Sequence, residues 1–591
     1  MIKRLLIANR GEIAIRIIRA CRELRIESVA VYSDADERAP HALAADRALP
    51  IGPAPAIQSY LSMPTIVEAA RRSQADAVHP GYGFLSENAT FAQACVDAGL
   101  TFVGPPPDVI ARMGSKIEAR RLMQQAGVPV VPGETPDDQS DEGIKHAIDR
   151  VGLPVLVKAS AGGGGKGMRH VRDAREIVEA IQAARREATA AFGDGTLYVE
   201  RLVERPHHVE VQVFGDHHGH VVHLFERECS VQRRHQKVIE ESPSPVLTSG
   251  LRARMTEAAV TAARAVTYRN AGTIEFLIDV PSGGGDNAAF YFLEMNTRLQ
   301  VEHPVTEQVS GLDLVRAQLL VASGEPLPWT QDTIDQRGHA IEARVYAEDP
   351  ASGFLPQAGL LLLYREPHWP GIRVDSGVAE GGEVSIYYDP LMAKVIAIAE
   401  TRELATARLI AALRDFRIAG VRTNVPFVAR VLATQAFRDG SIDTAYLDRE
   451  GEAIAATIDD QSAIDNQSAI DNQSAIHNQS AIRNPQSAMS TFDPWDPSAR
   501  TVRREVSHAG SPPRRATRAS SGDTLVAPMP ATVLKIHVKG GDAVKKGDTV
   551  LVLEAMKMEL PIRAPADATI GAVCCREGEL VAADATLVEF A

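Results

Sequence analysis

Two glutamates stand where the chain would otherwise be continuously apolar. Glu275 lies in Gly272-Thr273-Ile274-Glu275-Phe276-Leu277-Ile278, and Glu294 in Phe290-Tyr291-Phe292-Leu293-Glu294-Met295-Asn296. Both runs alternate as strands do, and a carboxylate there is costly unless it is paired or binds a cation. With Asn296 they offer hard oxygen ligands suited to Mg2+ or Mn2+ bridging nucleotide phosphates. A structural salt bridge is the other reading. Phosphate chemistry is the second theme. Gly162, Gly163, Gly164 and Gly165, followed by Lys166, join a strand at 154–160 to a strand at 168–171. Glycines let backbone N–H groups approach phosphate oxygens without Cβ obstruction. A P-loop would lead into a helix, so this is either a phosphate-covering loop or a plain flexible hairpin. Lys116 opens a helix behind the capping box Ser115-Lys116-Ile117-Glu118. The helix dipole is already positive there, so the lysine faces either an anionic ligand or solvent. Lys158, at a strand end, adds a second cation. The third theme is Lys557, in Ala555-Met556-Lys557-Met558, on an expected hairpin tip.

The elements that must position these groups follow from pattern. Residues 531–553 align without a gap to residues 568–590 at a constant offset of 37. Ala531/Ala568, Thr532/Thr569, Gly541/Gly578, Val544/Val581 and Thr549/Thr586 are identical. Short β-rich runs between Gly-Asp turns predict two similar sets of strands, with Lys557 in the only segment between the repeats. At the other end, residues 3–8 read as a buried strand, 12–24 as a helix and 28–32 as a second strand. Asn9-Arg10-Gly11-Glu12-Ile13-Ala14 lacks G-x-G-x-x-G, so a nicotinamide site is not expected. Residues 206–447 read as mixed antiparallel strands and helices. The span 450–523 differs in kind, since Gln-Ser-Ala-Ile recurs at 461, 467, 473 and 479. Such polar hexads cannot pack a core and predict a flexible linker. As a coil this span would reach about 45–50 Å.

Composition narrows the class. A chain of 591 residues should hold several domains. A formal charge of −13 argues against a nucleic-acid or anionic-membrane partner. No apolar run is long enough to span a bilayer. Five cysteines, with only Cys574 and Cys575 adjacent, make neither a disulfide framework nor a zinc site. A cytoplasmic enzyme is expected.

Longer motifs carry a family resemblance. Ala555-Met556-Lys557-Met558 in a duplicated β domain resembles the biotinyl domain of biotin-dependent carboxylases, whose lysine is acylated by biotin. Lipoyl domains usually place Asp and Ala beside their lysine. The stretches His79-Pro80-Gly81-Tyr82-Gly83-Phe84-Leu85-Ser86-Glu87-Asn88, Gln232-Arg233-Arg234-His235-Gln236-Lys237 and Glu294-Met295-Asn296-Thr297-Arg298-Leu299-Gln300-Val301-Glu302-His303-Pro304 resemble biotin carboxylase. The similarity runs from the N-terminus to about residue 447. It implies an ATP-grasp fold of α/β and α+β class. The expected domains are a parallel α/β domain at 1–112, an ATP-grasp domain at 113–325 with a glycine lid at about 130–205, and a mixed C-terminal domain at 326–447. A flexible linker at 448–523 and a small all-β biotinyl sandwich at 524–591 would complete the chain.

The resemblance also assigns roles. Arg298, Gln300 and the Val301 amide would cradle bicarbonate, with Lys237 helping to hold it. Glu302 would be the general base that takes the bicarbonate proton, and Arg344 would stabilise the ureido enolate of biotin. Lys116, Lys158, Glu200, Val203, His208, Gln232, His235 and the glycine lid match nucleotide-binding positions. Glu275, Glu294 and Asn296 would hold Mg2+, and Lys557 would carry biotin. The reaction would be the first half of an acyl-CoA carboxylase, with a carboxyltransferase (beta) subunit, biotin protein ligase and a second copy of the carboxylase domain as partners. An inactive carrier subunit and another ATP-grasp carboxylase of the 2-oxoacid type are the alternatives. One departure stands out. Alpha subunits for propionyl-CoA or methylcrotonyl-CoA carry a folded β-barrel between carboxylase and carrier, and here only about thirty residues follow Asp493-Pro494-Trp495-Asp496 before the carrier.

Overall fold

Helical periodicity near the N-terminus produces the helix Gly11–Leu24, which buries Ile13, Ala14, Ile17, Ile18 and Cys21. It connects the strands Arg4–Ile7 and Glu27–Tyr32, which pair in parallel with Leu6 opposite Val29. Three more strands complete a five-stranded parallel sheet in the order Arg47–Pro50, Glu27–Tyr32, Arg4–Ile7, Ala77–His79, Thr101–Phe102. Leu5, Leu6 and Ile7 are all fully buried, as expected for a sheet covered on both faces. The computed structural model describes residues 1–160, 167–279, 285–456, 524–556 and 558–591. The chain divides into two units, Met1–Ser462 and Ala463–Ala591. No helix among the described residues is long and apolar enough to cross a membrane.

Two larger sheets and three two-stranded ones complete the described part of the first unit. A four-stranded sheet runs Gly133–Glu134, Leu197–Arg201, Val155–Ala159, Met168–Val171. Its last two strands pair antiparallel with Lys158 opposite Met168, so the chain between them joins strand to strand. Residues 161–166, including Gly162, Gly163, Gly164 and Gly165, lie outside the described residues. The largest sheet has eight antiparallel-paired strands in the order Ala289–Asn296, Asn270–Asp279, His207–Gly215, Val221–Arg233, Gln236–Ser242, His339–Tyr346, Leu391–Ala399, Ile372–Ser376. Gln236–Ser242 pairs with His339–Tyr346, Ile239 opposite Ala343, so the sheet is continuous across the 325/326 border expected from sequence. The helix Tyr446–Ala456 carries order past residue 448, where a linker was expected. Leu447, Gly451 and Ala455, spaced by four, bury one face of it. Residues 457–523 lie outside the described residues.

The second unit follows the sequence repeat strand by strand. One sheet runs Thr524–Val526, Thr586–Phe590, Ala568–Val573, Ala543–Val544; the other runs Met558–Arg563, Thr549–Ala555, Ala531–Ile536, Leu580–Val581. The offset of 37 carries Ala531–Ile536 onto Ala568–Val573 and Ala543–Val544 onto Leu580–Val581. Pairing obeys it as well, since Ala531 faces Val581 and Ala568 faces Val544. The result is an all-β sandwich. The strands Thr549–Ala555 and Met558–Arg563 pair with Ala555 opposite Met558. Met556, in the turn between that pair, is buried and has φ of +50°. Lys557 itself lies outside the described residues.

Candidate active site

Period-two alternation delivers the polar groups of the large sheet to one face. His208 and Glu210 come from His207–Gly215, Arg227 and Cys229 from Val221–Arg233, Glu275 from Asn270–Asp279, and Glu294 and Asn296 from Ala289–Asn296. That face bounds a cavity of about 560 Å³. Its wall includes Lys116, Lys158, Glu200, Val203, His208, Gln232, His235, Lys237, Glu275, Glu294, Asn296, Arg298, Gln300, Val301, Glu302 and Arg344. The candidate residues within the described part of the first unit are thus brought to one place.

At the centre, Lys237 Nζ donates to Glu302 Oε1 at 2.6 Å, Glu210 Oε2 at 2.7 Å and Glu275 Oε1 at 3.1 Å. The second Glu302 oxygen accepts from Arg344 Nη2 at 3.1 Å. Glu302 is fully buried, and burial alone would raise its pKa. Lys237, Arg344 and Arg227 outweigh that and hold its carboxyl well below the usual range. Burial works against the Lys237 ammonium too, but the surrounding acidic groups keep it charged far above neutrality. Arg227 is itself fully buried and donates to Glu210 Oε1 at 2.6 Å, leaving neither Glu210 oxygen free.

The loop after Asn296 holds an arginine fork. Arg298 donates through Nη1 to Gln300 Oε1 at 2.6 Å, through Nη2 to Asn296 Oδ1 at 3.0 Å and through Nε to Glu87 Oε2 at 2.8 Å. Glu87 comes from the N-terminal domain, and it also accepts from the Thr297 N–H at 3.1 Å. The Val301 carbonyl accepts from Lys394 Nζ at 2.8 Å.

A cationic pair marks the opposite wall. Ser115 caps the helix Lys116–Gln125 by accepting from the Glu118 N–H, which puts Lys116 at the first helical position. Lys158 donates to Glu200 Oε2 at 2.9 Å, and Arg120 Nη1 holds the other Glu200 oxygen at 2.6 Å. Lys116 has no ion pair among the described residues. Burial and the neighbouring Lys158 lower its pKa, with Glu294 and Glu200 opposing. An anion between the two lysines would relieve that repulsion.

Glu275 and Glu294 are direct partners across their strands. Glu275 Oε1 accepts from Lys237, from Asn296 Nδ2 at 2.8 Å and from Gln300 Nε2 at 3.2 Å, and Oε2 meets His208 Nε2 at 2.9 Å. Burial raises the Glu294 carboxyl, Glu275 adds to that, and Lys116 and Lys158 oppose it. No hydrogen bond or ion pair holds Glu294 among the described residues. Two adjacent carboxylates with one unpartnered fit a hard divalent cation. Ligand atoms of His208, Glu210 and Glu275 also lie within 4.8 Å of one another. Arg227, Lys237 and the His208–Glu275 bond already occupy that set.

Four family models match stretches of the chain. The model for the N-terminal domain of biotin carboxylase matches residues 1–110, and that for its C-terminal domain matches 342–449. The ATP-binding domain of the carbamoyl-phosphate synthase L chain matches 115–330. A model described as a biotin-requiring enzyme matches 523–590. Biotin carboxylase of Halalkalibacterium halodurans is 52% identical over 447 residues, covering 76% of this chain and 97% of that protein. The chain belongs to the biotin carboxylase family. It catalyses the ATP-dependent carboxylation of biotin, and its C-terminal unit matches a biotin-requiring domain. The mitochondrial methylcrotonoyl-CoA carboxylase subunit alpha of Rattus norvegicus is 41% identical over 672 positions, covering 100% of this chain and 93% of that one. Since this chain has 591 residues, at least 81 of those positions have no counterpart in it. A solved biotin carboxylase domain dimer of the 2-oxoglutarate carboxylase of Hydrogenobacter thermophilus, with MgADP, ADP and bicarbonate, superposes with a TM-score of 0.73. It is 44% identical and covers 77% of this chain and 99% of that one.

Several residues of this biotin carboxylase site escaped the sequence reading. Glu87 was visible only as part of a motif. Glu210 carries the same signal as Glu275, a carboxylate inside the apolar run His207–Gly215, and was passed over. Arg120 was hidden on a polar helix. His235 was singled out, but not its strain. With Arg234 it forms the two-residue turn between the paired Arg233 and Gln236, with φ of +48° and +66°. Such turns favour Asn and Gly, so Arg and His there accept a backbone cost at the cavity edge.

Proposed function

We propose that this chain performs the first half-reaction of an acyl-CoA carboxylase, and that a separate carboxyltransferase subunit completes it. The full-length similarity to a methylcrotonoyl-CoA carboxylase alpha subunit supports the acyl-CoA reading over the 2-oxoacid one. The observation that carries the chemistry is Glu302, clamped between Lys237 and Arg344 at the end of the Arg298 loop. In this reading Arg298 and Gln300 receive bicarbonate, and its charge draws Lys237 from Glu302. Glu302 then takes the bicarbonate proton, and the freed anion attacks the γ-phosphoryl group of ATP, displacing ADP to give carboxyphosphate. Lys116 and Lys158 hold the phosphates in line. Glu275, Glu294 and Asn296 would hold Mg2+, which supplies positive charge against the phosphate oxygens. Biotin on Lys557 supplies the ureido nitrogen that accepts the carboxyl group, and Arg344 lies beside Glu302 to face its oxygen.

Biotin protein ligase would modify Lys557, and the carboxylase domain would pair with a second copy, as in the Hydrogenobacter thermophilus dimer. The free cysteines suit a reducing compartment, and we place the protein in the cytoplasm. Glu302→Gln tests the assignment. Biotin-dependent ATP hydrolysis in bicarbonate should fall by roughly 10²–10⁴-fold, with ATP affinity retained. Retained turnover would remove Glu302 from the reaction. Co-purification of a carboxyltransferase, followed by a panel of acyl-CoAs, tests the partner and the acceptor.

A further inference from the structure

Two buried carboxyls beside the site have no part in the steps above. Glu240 on Gln236–Ser242 and Glu342 on His339–Tyr346 are direct partners in the antiparallel register, which sets their Cβ atoms about 4.5–5.5 Å apart. Both residues are fully buried. Arg344, two residues beyond Glu342, shares its face of the strand. Its guanidinium bridges Glu240 Oε1 at 2.5 Å and Glu302 Oε2 at 3.1 Å. The second Glu240 oxygen and both oxygens of Glu342 have no hydrogen-bond partner. Two ionised carboxylates cannot face each other out of water, because burial and like charge both favour the neutral acid. One proton resolves the conflict, and the arginine identifies Glu240 as the member that keeps its charge.

We propose that Glu240 and Glu342 share one proton, carried on Glu342, and that the Glu240 carboxylate is a positioning residue that fixes Arg344 against Glu302 for the carboxylation of biotin. This rests on the roles given to Arg344 and Glu302 above. The charged groups facing the pair are Arg344, Lys237, Glu302 and Lys394. Cys229 and His303, on the neighbouring strand and helix, are neutral. Burial pushes the thiol well above its ordinary value and, with Lys394, drives the imidazole well below. Burial raises the Glu342 carboxyl well above the usual range, with Lys394 opposing and Glu240 adding to the shift. Glu240 is pushed up to about 7 by burial, against Arg344 and with Glu302. The pair therefore holds one proton above that pH and two below it, where Arg344 loses a carboxylate partner.

The test uses the full chain with ATP, bicarbonate and free biotin across a pH series. The parent should show an acid limb in kcat near pH 7. In Glu240→Gln that limb should vanish, with kcat in alkaline buffer lower by roughly tenfold to a hundredfold and the KM for ATP within about twofold. In Glu342→Gln the limb should keep its position. The infrared band of a protonated carboxyl, present in alkaline buffer in the parent, should be lost. A limb retained in Glu240→Gln overturns the proposal, as does a limb that moves down by about one unit or more in Glu342→Gln. An unchanged infrared band overturns it too, and that readout needs no activity. If Glu302→Gln still carboxylates biotin, the assignment of the site fails instead, whatever the infrared spectrum shows.

Discussion

Before substrate enters, both Glu302 oxygens are held by cations, 2.6 Å from Lys237 and 3.1 Å from Arg344. A carboxylate held that way is a weak base, because the same cations that keep it ionised oppose its protonation. In the proposed reaction bicarbonate would change this by competing for Lys237, so basicity would appear only when there is a proton to take. Lys237→Gln should therefore lower kcat by roughly a hundredfold or more without a comparable change in ATP affinity. Steady-state kinetics with free biotin would show it, and an equal loss in both parameters would speak for a structural role. Asp216 offers a simpler test of electrostatics. It accepts from the backbone N–H groups of His218 at 2.8 Å, His220 at 3.0 Å and Leu327 at 3.0 Å. Burial would raise its carboxyl, but these donors and the His220 imidazole, whose Nδ1 lies 2.8 Å from Oδ2, outweigh it and bring the pKa to about 2. The stabilisation is complete above the ordinary aspartate value and is lost as pH falls from about 4 toward 2. Asp216→Asn should cost about 2 kcal/mol at neutral pH. The penalty should shrink on acidification, as denaturant unfolding at neutral pH and near pH 3 would reveal.

At the scale of elements, local chemistry was legible and long-range pairing was not. Ser115 announced its helix because an N-cap is read within four residues. The strands bearing Glu275 and Glu294 were legible because their side chains alternate with period two. The constant offset of 37 gave the sandwich, since each repeat supplies matching strands to opposite sheets. Sequence could not show that Gln236–Ser242 pairs with His339–Tyr346, because nothing local encodes a partner a hundred residues away. Nor could it show Glu87 reaching Arg298, or Lys394 reaching back to the Val301 carbonyl. Lys394 illustrates what such ties are worth. Its side chain is fully buried on Leu391–Ala399, donates to Val301 and lies 3.1 Å from Glu12 on the first helix. One ammonium thus pins the peptide group before Glu302 to two domains. Lys394→Met would leave Glu12 buried without its cation, holding only the Tyr82 hydroxyl, at a cost of about 3–5 kcal/mol. Thermal unfolding should register that loss. A stable Lys394→Met protein with normal turnover would show that the tie is dispensable.

Across the whole molecule, the residues that would activate bicarbonate and those that would carry biotin fall into separate units. Glu302, Lys237, Arg298, Arg344, Lys116 and Lys158 lie within Met1–Ser462, while the sandwich around Met556 lies within Ala463–Ala591. The alignment with the rat alpha subunit adds that at least 81 of its positions are absent from this chain. That difference in length sharpens the question of how a carboxyltransferase docks. The first half-reaction, as proposed, would need only the first unit and a biotin. Lys557→Ala should therefore abolish carboxylation of the chain itself while leaving carboxylation of free biotin within about twofold of the parent. Radiolabelled bicarbonate would follow both, as acid-labile label on protein and on free biotin. If the substitution removes both activities while the protein stays folded, the carrier unit contributes to the active site and the division of labour fails. If label still appears on the protein, another residue carries the biotin.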